Sequence, residues 1–226
     1  MRYPKDHKAK TRRKILEAAG RVFRRLGYQG GGVDAVMKEA GLTHGGFYAH
    51  FRNKEALFAE VVPAAMKAMP LWRTPLPESP GGTEEPTEEA TERAWLRGVI
   101  GRYLSPQHRD ASEAGCPVPT LVSELGRAGE GPREAFGQAL ADWRDQIAPH
   151  FAHLPEEQRE EAALAFLVHC VGALSLARAV GDPSLSEGLL TAGRTSLERA
   201  YLAPSPADSP DAPPEAPPRP AIPSPS

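Results

Sequence analysis

Gly41-Leu42-Thr43-His44-Gly45-Gly46-Phe47-Tyr48-Ala49-His50-Phe51 sets two adjacent glycines ahead of an aromatic and histidine cluster. A glycine-rich run of this kind forms a phosphate cradle, an irregular loop, or a helix whose backbone must approach something closely. The flanking sequence chooses among the three. Upstream, Val33, Val36, Met37 and Ala40 recur at helical spacing, so a short helix with one apolar face stops at Gly41. Downstream, Thr43 suits an N-cap and begins a second short helix reaching about Phe51.

Before both lies a longer helix whose apolar stripe is Ile15, Ala19, Val22, Phe23 and Leu26. Gly27 is placed to end it, and Gly30-Gly31-Gly32 forms a turn. Two short helices separated by Gly41-Leu42 after a longer one make a helix-turn-helix. The second short helix is then the one that enters the major groove, its first residues at the base edges. Glycine in a helix costs about 1 kcal/mol relative to alanine. Two in succession imply that bulk on that face is worse, as when a backbone approaches DNA.

Charge agrees with this placement. The chain of 226 residues has a net charge of −2, but residues 1–68 carry 14 Lys/Arg against 6 Asp/Glu and the remainder 13 against 23. A basic head on an acidic body assigns the polyanion to the head. Lys5 to Lys14 alone holds six Lys/Arg and one acid, an arm suited to a salt-dependent grip on phosphate or the minor groove. The bland alternative is a solvated basic tail.

The run from Gly46 through Arg52, Asn53 and Lys54 to Leu57 resembles the hallmark of TetR/AcrR-type transcriptional regulators, close to G-x-x-Y-x-H-F-x-x-K-x-x-L. Phe23-Arg24-Arg25-Leu26-Gly27-Tyr28 and Ala40-Gly41-Leu42-Thr43 fit as well, so the likeness covers roughly residues 10–60. The resemblance implies an N-terminal three-helix DNA-binding domain over residues 1–54, basic arm included. A larger helical effector-binding and dimerisation domain follows over 55–203. It also implies DNA contacts by Thr43, His44, Gly45, Gly46, Tyr48, His50 and Lys54. Tyr48 and Lys54 match phosphate-holding positions, Thr43 and His44 start the recognition helix, and Phe47 and Phe51 seat it on the core. For His50 a core role and a backbone-contact role stay equally open. Many relatives carry Thr or Ser where this chain has Gly32 and Gly46, so two phosphate-bonding hydroxyls are missing.

Helical periodicity continues over residues 90–104, 118–129, 132–150, 156–181 and 184–203, with no strand-like alternation, and the fold class is all-α. Pro70 to Glu89 reads as an exposed loop. Residues 204–226 hold 10 of the 24 prolines, cannot build a core, and read as a disordered tail. Residues 164–180 are apolar almost all round, with Gly172, Ala173, Ser175 and Ala177 small enough for close helix approach. In the resembled family the last two helices build a four-helix dimer interface, which accounts for that composition. The alternative is a buried helix of a monomer. The middle helices then hold a small-molecule effector pocket, with Trp95, Tyr103, Phe136, Trp143, Phe151 and Phe166 as lining or plain core.

Cys116 stands where a helix begins, and a helix N-terminus lowers a thiol pKa. The Gly115-Cys116 entry resembles one found in electrophile- and oxidant-responsive members of the family, so Cys116 is a candidate redox or electrophile sensor. Otherwise it is a small apolar residue in a tight turn. Neither a nucleophile elbow nor a P-loop is present, and His150 with His153 lacks a third ligand, so neither enzyme chemistry, a metal nor a cofactor is expected. The longest apolar run is short of the roughly 20 residues needed to span a bilayer. With two cysteines and no basic-then-apolar leader, the chain reads as cytoplasmic, without membrane involvement. The expectation is a homodimeric, ligand-responsive regulator, a repressor on double-stranded palindromic operator DNA. The competing reading is a non-specific architectural DNA binder or interaction protein.

Overall fold

The computed structural model describes residues 5–69 and 88–202, and every regular element among them is a helix. The expected loop from Pro70 and the tail from Pro204 therefore lie outside the described residues, although Glu88-Glu89, expected in the loop, already begins a helix.

Helix α1 (Lys5–Gly30) includes the basic arm, which is helical from Lys5 onward. Ile15, Ala19, Val22 and Phe23 are fully buried along one side of it. Leu26, assigned to the same stripe, is 48% exposed, because the helix breaks immediately after it. At Gly27 φ is 72° and ψ 170°, a backbone region open only to glycine, after which the chain makes one more helical turn.

Helix α2 (Val33–Glu39) lays Val36 and Met37 on that core. Arg21 and Arg25 of α1 grip the Glu39 carboxylate at 2.9 and 3.2 Å. A 3-10 helix follows at His44–Ala49, then α3 (Lys54–Ala68), capped by the Asn53 side chain accepting from the Ala56 N–H. Helix α3 buries Leu57, Phe58, Val61 and Val62, packing on α1 along one side and on α7 along another. Pro63 inside it removes one helical rung.

The larger part comprises α4 (Glu88–Tyr103), α5 (Pro106–Asp110), α6 (Val118–Leu125), α7 (Glu130–Ile147), a 3-10 turn (Ala148–Phe151), α8 (Glu156–Ala179) and α9 (Pro183–Tyr201). Helix α5, too short to show periodicity, is started by the Ser105 cap and Pro106 at its first position. Helix α6 stops at Leu125 instead of continuing to 129, where Gly126 and Gly129 interrupt. Trp95, Tyr103, Trp143, Phe151 and Phe166 are all buried, and their core is continuous with that of the head. By length and composition α8 could span a bilayer, yet it is packed among α4, α6, α7 and α9.

Candidate nucleic-acid interface

The turn between α2 and the 3-10 helix is built by the glycine that the sequence places there. Gly41 has φ 64°, its N–H donates to Lys38 O at 3.0 Å, and the Leu42 N–H donates to Met37 O at 2.9 Å. This pairing is the Schellman motif, which ends a helix sharply and satisfies its last carbonyls. The chain leaves it with Thr43 extended, but the Thr43 side chain makes no capping bond. Thr43 thus holds the expected N-cap position by its backbone alone, and the helix is a tight 3-10 one over six residues instead of one running from Thr43 to about Phe51. Two glycines weaken α-helical propensity here, and short helices of this length tighten readily.

Phe47 is fully buried and Phe51 nearly so, their rings stacked at 5.7 Å, and together they pin this segment to the head. Thr43, His44, Gly45 and Tyr48 are exposed on the other side. Tyr48, at 60% exposure, is an aromatic with no place in the core. A side chain added at Gly45 would meet nothing, and at Gly46 only ordinary contacts at 3.7 Å. Nothing inside the protein therefore requires these glycines. Gly32, the uncapped start of α2, is equally open.

His50 is half-buried, its Nδ1 shielded and without a hydrogen-bond partner among the described residues. Burial, and after it the charges of Lys8, Arg12 and His7, hold its pKa below the ordinary value. Arg12 is engaged elsewhere, over the Phe51 ring at 4.5 Å and paired with Glu60 at 2.5 Å. Lys8, Lys10, Lys14, Lys38 and Arg52 are exposed.

Lys54 sits differently from a free phosphate ligand. Its Nζ donates to Tyr28 O at 2.7 Å and Gln29 O at 3.4 Å, and it lies 4.4 Å over the Tyr28 ring. On the other side of the same turn, Glu124 of α6 accepts from the Tyr28 N–H at 2.6 Å and the Gln29 N–H at 3.4 Å. The break at Gly27 frees these two N–H groups, and a carboxylate from another helix caps them. The sequence contains no local signal for that joint, because its partners lie 96 and 26 residues from Tyr28.

Cys116 is fully buried just before α6, and its thiol pKa is pushed up to about 11. Burial dominates; the Tyr103 hydroxyl, the Val118 N–H and the charges of Arg178 and Arg24 oppose it without prevailing. The lowered pKa expected from the helix start is thus corrected. Its surroundings were not legible in the sequence. His108 accepts from the Cys116 N–H at 3.0 Å while its Nδ1 meets Tyr103 O at 2.8 Å, and Arg178 donates to His108 O and Arg109 O. His150 stacks on Trp95 at 3.6 Å.

A three-helix head with an exposed, aromatic-bearing turn among basic residues, joined to an all-helical body, defines a helix-turn-helix regulator. Residues 15–61 match the family described as bacterial regulatory proteins, tetR family, and residues 95–187 match the LmrA/YxaF-like transcriptional regulator C-terminal domain. The chain is 26% identical over 192 residues to an uncharacterized HTH-type transcriptional regulator in the lacX 3' region of Lactococcus lactis subsp. lactis, covering 84% of this chain and 94% of that one. It is 30% identical over 134 residues to the HTH-type transcriptional regulator LmrA of Bacillus subtilis, 59% of this chain and 66% of that one. The fold is shared with reduced E. coli NemR at a TM-score of 0.65, with 18% identity over 84% of this chain and 96% of that one. The chain belongs to the TetR family: it is a DNA-binding transcriptional regulator and not an enzyme.

Proposed function

We propose that the protein is a ligand-responsive repressor that binds a palindromic operator as a homodimer, through a head ending near Lys54 and a body spanning 55–203. The observation that carries the DNA-contact reading is Tyr48, a large aromatic held exposed on a turn whose neighbours Phe47 and Phe51 are buried. Thr43, His44, Gly45, Gly46 and His50 share that turn, and Lys54 follows it, holding the end of α1 while one N–H stays available to a phosphate. Missing hydroxyls at Gly32 and Gly46 leave the grip to Tyr48, the exposed lysines and backbone N–H groups.

Dimerisation is supported by Leu164, Val168 and Leu176 of α8, which recur at helical spacing and are 41, 69 and 55% exposed. Beside them α9 exposes Leu185 and the small residues Gly188 and Ala192. Two such helix pairs make a four-helix interface, and two heads read a two-fold operator.

For the effector, the cleft between α3 and α7 offers about 450 Å³, with Met66, Met69 and Trp143 as apolar wall and Lys67, Gln138 and Asp142 at its rim. It suits a flat apolar molecule with a polar edge. Because α3 begins at Lys54, a ligand that favours another α3 position changes the heads' geometry. Of the six aromatic side chains considered from sequence, Trp143 lines this cleft. The site of action is the cytoplasm, where chromosomal DNA lies. A screen of small molecules and oxidants for release of operator DNA tests the response. Ala64→Trp, which fills the cleft, is expected to keep operator binding and lose release; undiminished release by every active compound contradicts the cleft assignment.

A further inference from the structure

Asp34 is an exposed acid in the first turn of α2. The dipole of α2 favours a carboxylate there, whereas a nearby DNA phosphate would be repelled by it. Its Oδ1 lies 2.5 Å from Nδ1 of His44, the first residue of the 3-10 helix, and the two side chains are 87 and 50% exposed. The Tyr48 ring, one turn further along, stands 5.8 Å from the His44 ring and is tilted to it by 55°. Asp34 from α2 and Tyr48 from the 3-10 helix are the titratable groups seen against it among the described residues.

The bond to Asp34 has a chemical consequence at the opposite edge of the ring. A carboxylate only accepts, so in the neutral imidazole the proton stays on Nδ1 and Nε2 is left as an acceptor. In the major groove an acceptor matches the exocyclic amino group of adenine (N6) or cytosine (N4), and mismatches guanine O6 and N7 or thymine O4.

We propose that Asp34 and His44 form a base-reading unit, in which His44 Nε2 accepts from an amino group of adenine or cytosine and Asp34 is the positioning residue that selects that tautomer. The proposal rests on the 3-10 helix being the recognition helix. Asp34 sets which hydrogen-bond pattern the ring shows to the groove, and so which base is preferred. An unpartnered ring would present either tautomer and accept guanine as readily.

The test is selection of duplexes from a randomised library by the full-length protein, followed by titration of the selected duplex and its single-base variants at about pH 8, above the ordinary histidine range. His44→Phe is expected to lose about tenfold or more of discrimination at one base pair per half-site, with preferences elsewhere kept. In the selected duplex, replacing the adenine of that pair by purine, or its cytosine by pyrimidin-2-one, removes the amino group and should cost the wild-type protein, but not His44→Phe, about the same factor. Asp34→Asn, whose amide oxygen still accepts from Nδ1–H, is expected to keep the preference. Asp34→Leu should reduce it severalfold at that same base pair while leaving phosphate-driven affinity intact or higher. Wild-type affinity unchanged by removal of that amino group overturns the proposal, as does unchanged discrimination in Asp34→Leu. If the wild-type protein selects no sequence at all, the recognition-helix reading itself fails. If it selects one that His44→Phe leaves unchanged, only the base-reading unit fails.

Discussion

Tyr48 carries its hydroxyl on a ring that the fold holds out by stacking its neighbours inward. Phe47 meets it edge-on at 5.2 Å, which limits how far the ring can swing. A hydroxyl bonded to a charged phosphate contributes about 1.5–3 kcal/mol. Tyr48→Phe should therefore weaken binding to every DNA sequence by at least roughly tenfold, with unchanged thermal stability. Equal affinity in a fluorescence anisotropy titration contradicts the contact. His50 supplies a pH signature. Burial and neighbouring cations depress its pKa in the free protein, and an adjacent phosphate favours the imidazolium. The DNA-bound pKa is then higher than the free one, binding takes up a proton, and affinity rises as pH falls from about 8 to about 6. His50→Gln should flatten that profile; a wild-type profile already flat places His50 away from the phosphates.

Helices meet at a joint that no single segment announces. The turn after Gly27 is held by Glu124 from α6 on its N–H side and by Lys54 from α3 on its C=O side. A shift of α6 therefore reaches Lys54, the first residue of α3, through two backbone groups. Glu124→Ala should speed amide hydrogen exchange at Tyr28 and Gln29 and across 44–50, whereas exchange confined to 28–29 would show that the joint ends there. The helices themselves were legible from their apolar spacing, and Gly27 and Gly41 marked real breaks because their backbone angles admit little else. Local pattern misjudged what tertiary packing decides: the 3-10 geometry at His44–Ala49 and the burial that raises the Cys116 pKa. The Asp34–His44 pair was equally hidden, since ten residues separate partners that only the Schellman turn brings together.

At the level of the whole molecule, two readers must be linked for a two-fold site. Val168, 69% exposed on α8, is the most open large apolar side chain among the described residues of the body. Burying a charge there without a partner is costly, so Val168→Glu should give a folded monomer by sedimentation. Loss of linkage between heads then lowers operator affinity by roughly two orders of magnitude or more. A Val168→Glu protein that remains dimeric moves the interface elsewhere. The charge division along the chain fits the same picture, with an acidic body kept off the DNA by repulsion and the basic head turned toward it.

The most direct measurement is a hydroxyl-radical footprint of the full-length protein on the DNA upstream of its own gene, alongside Tyr48→Ala. The account predicts a two-fold symmetric protected site with half-sites one helical turn or a multiple apart, absent for the variant. Diffuse protection without symmetry, or a pattern unchanged by Tyr48→Ala, would contradict it.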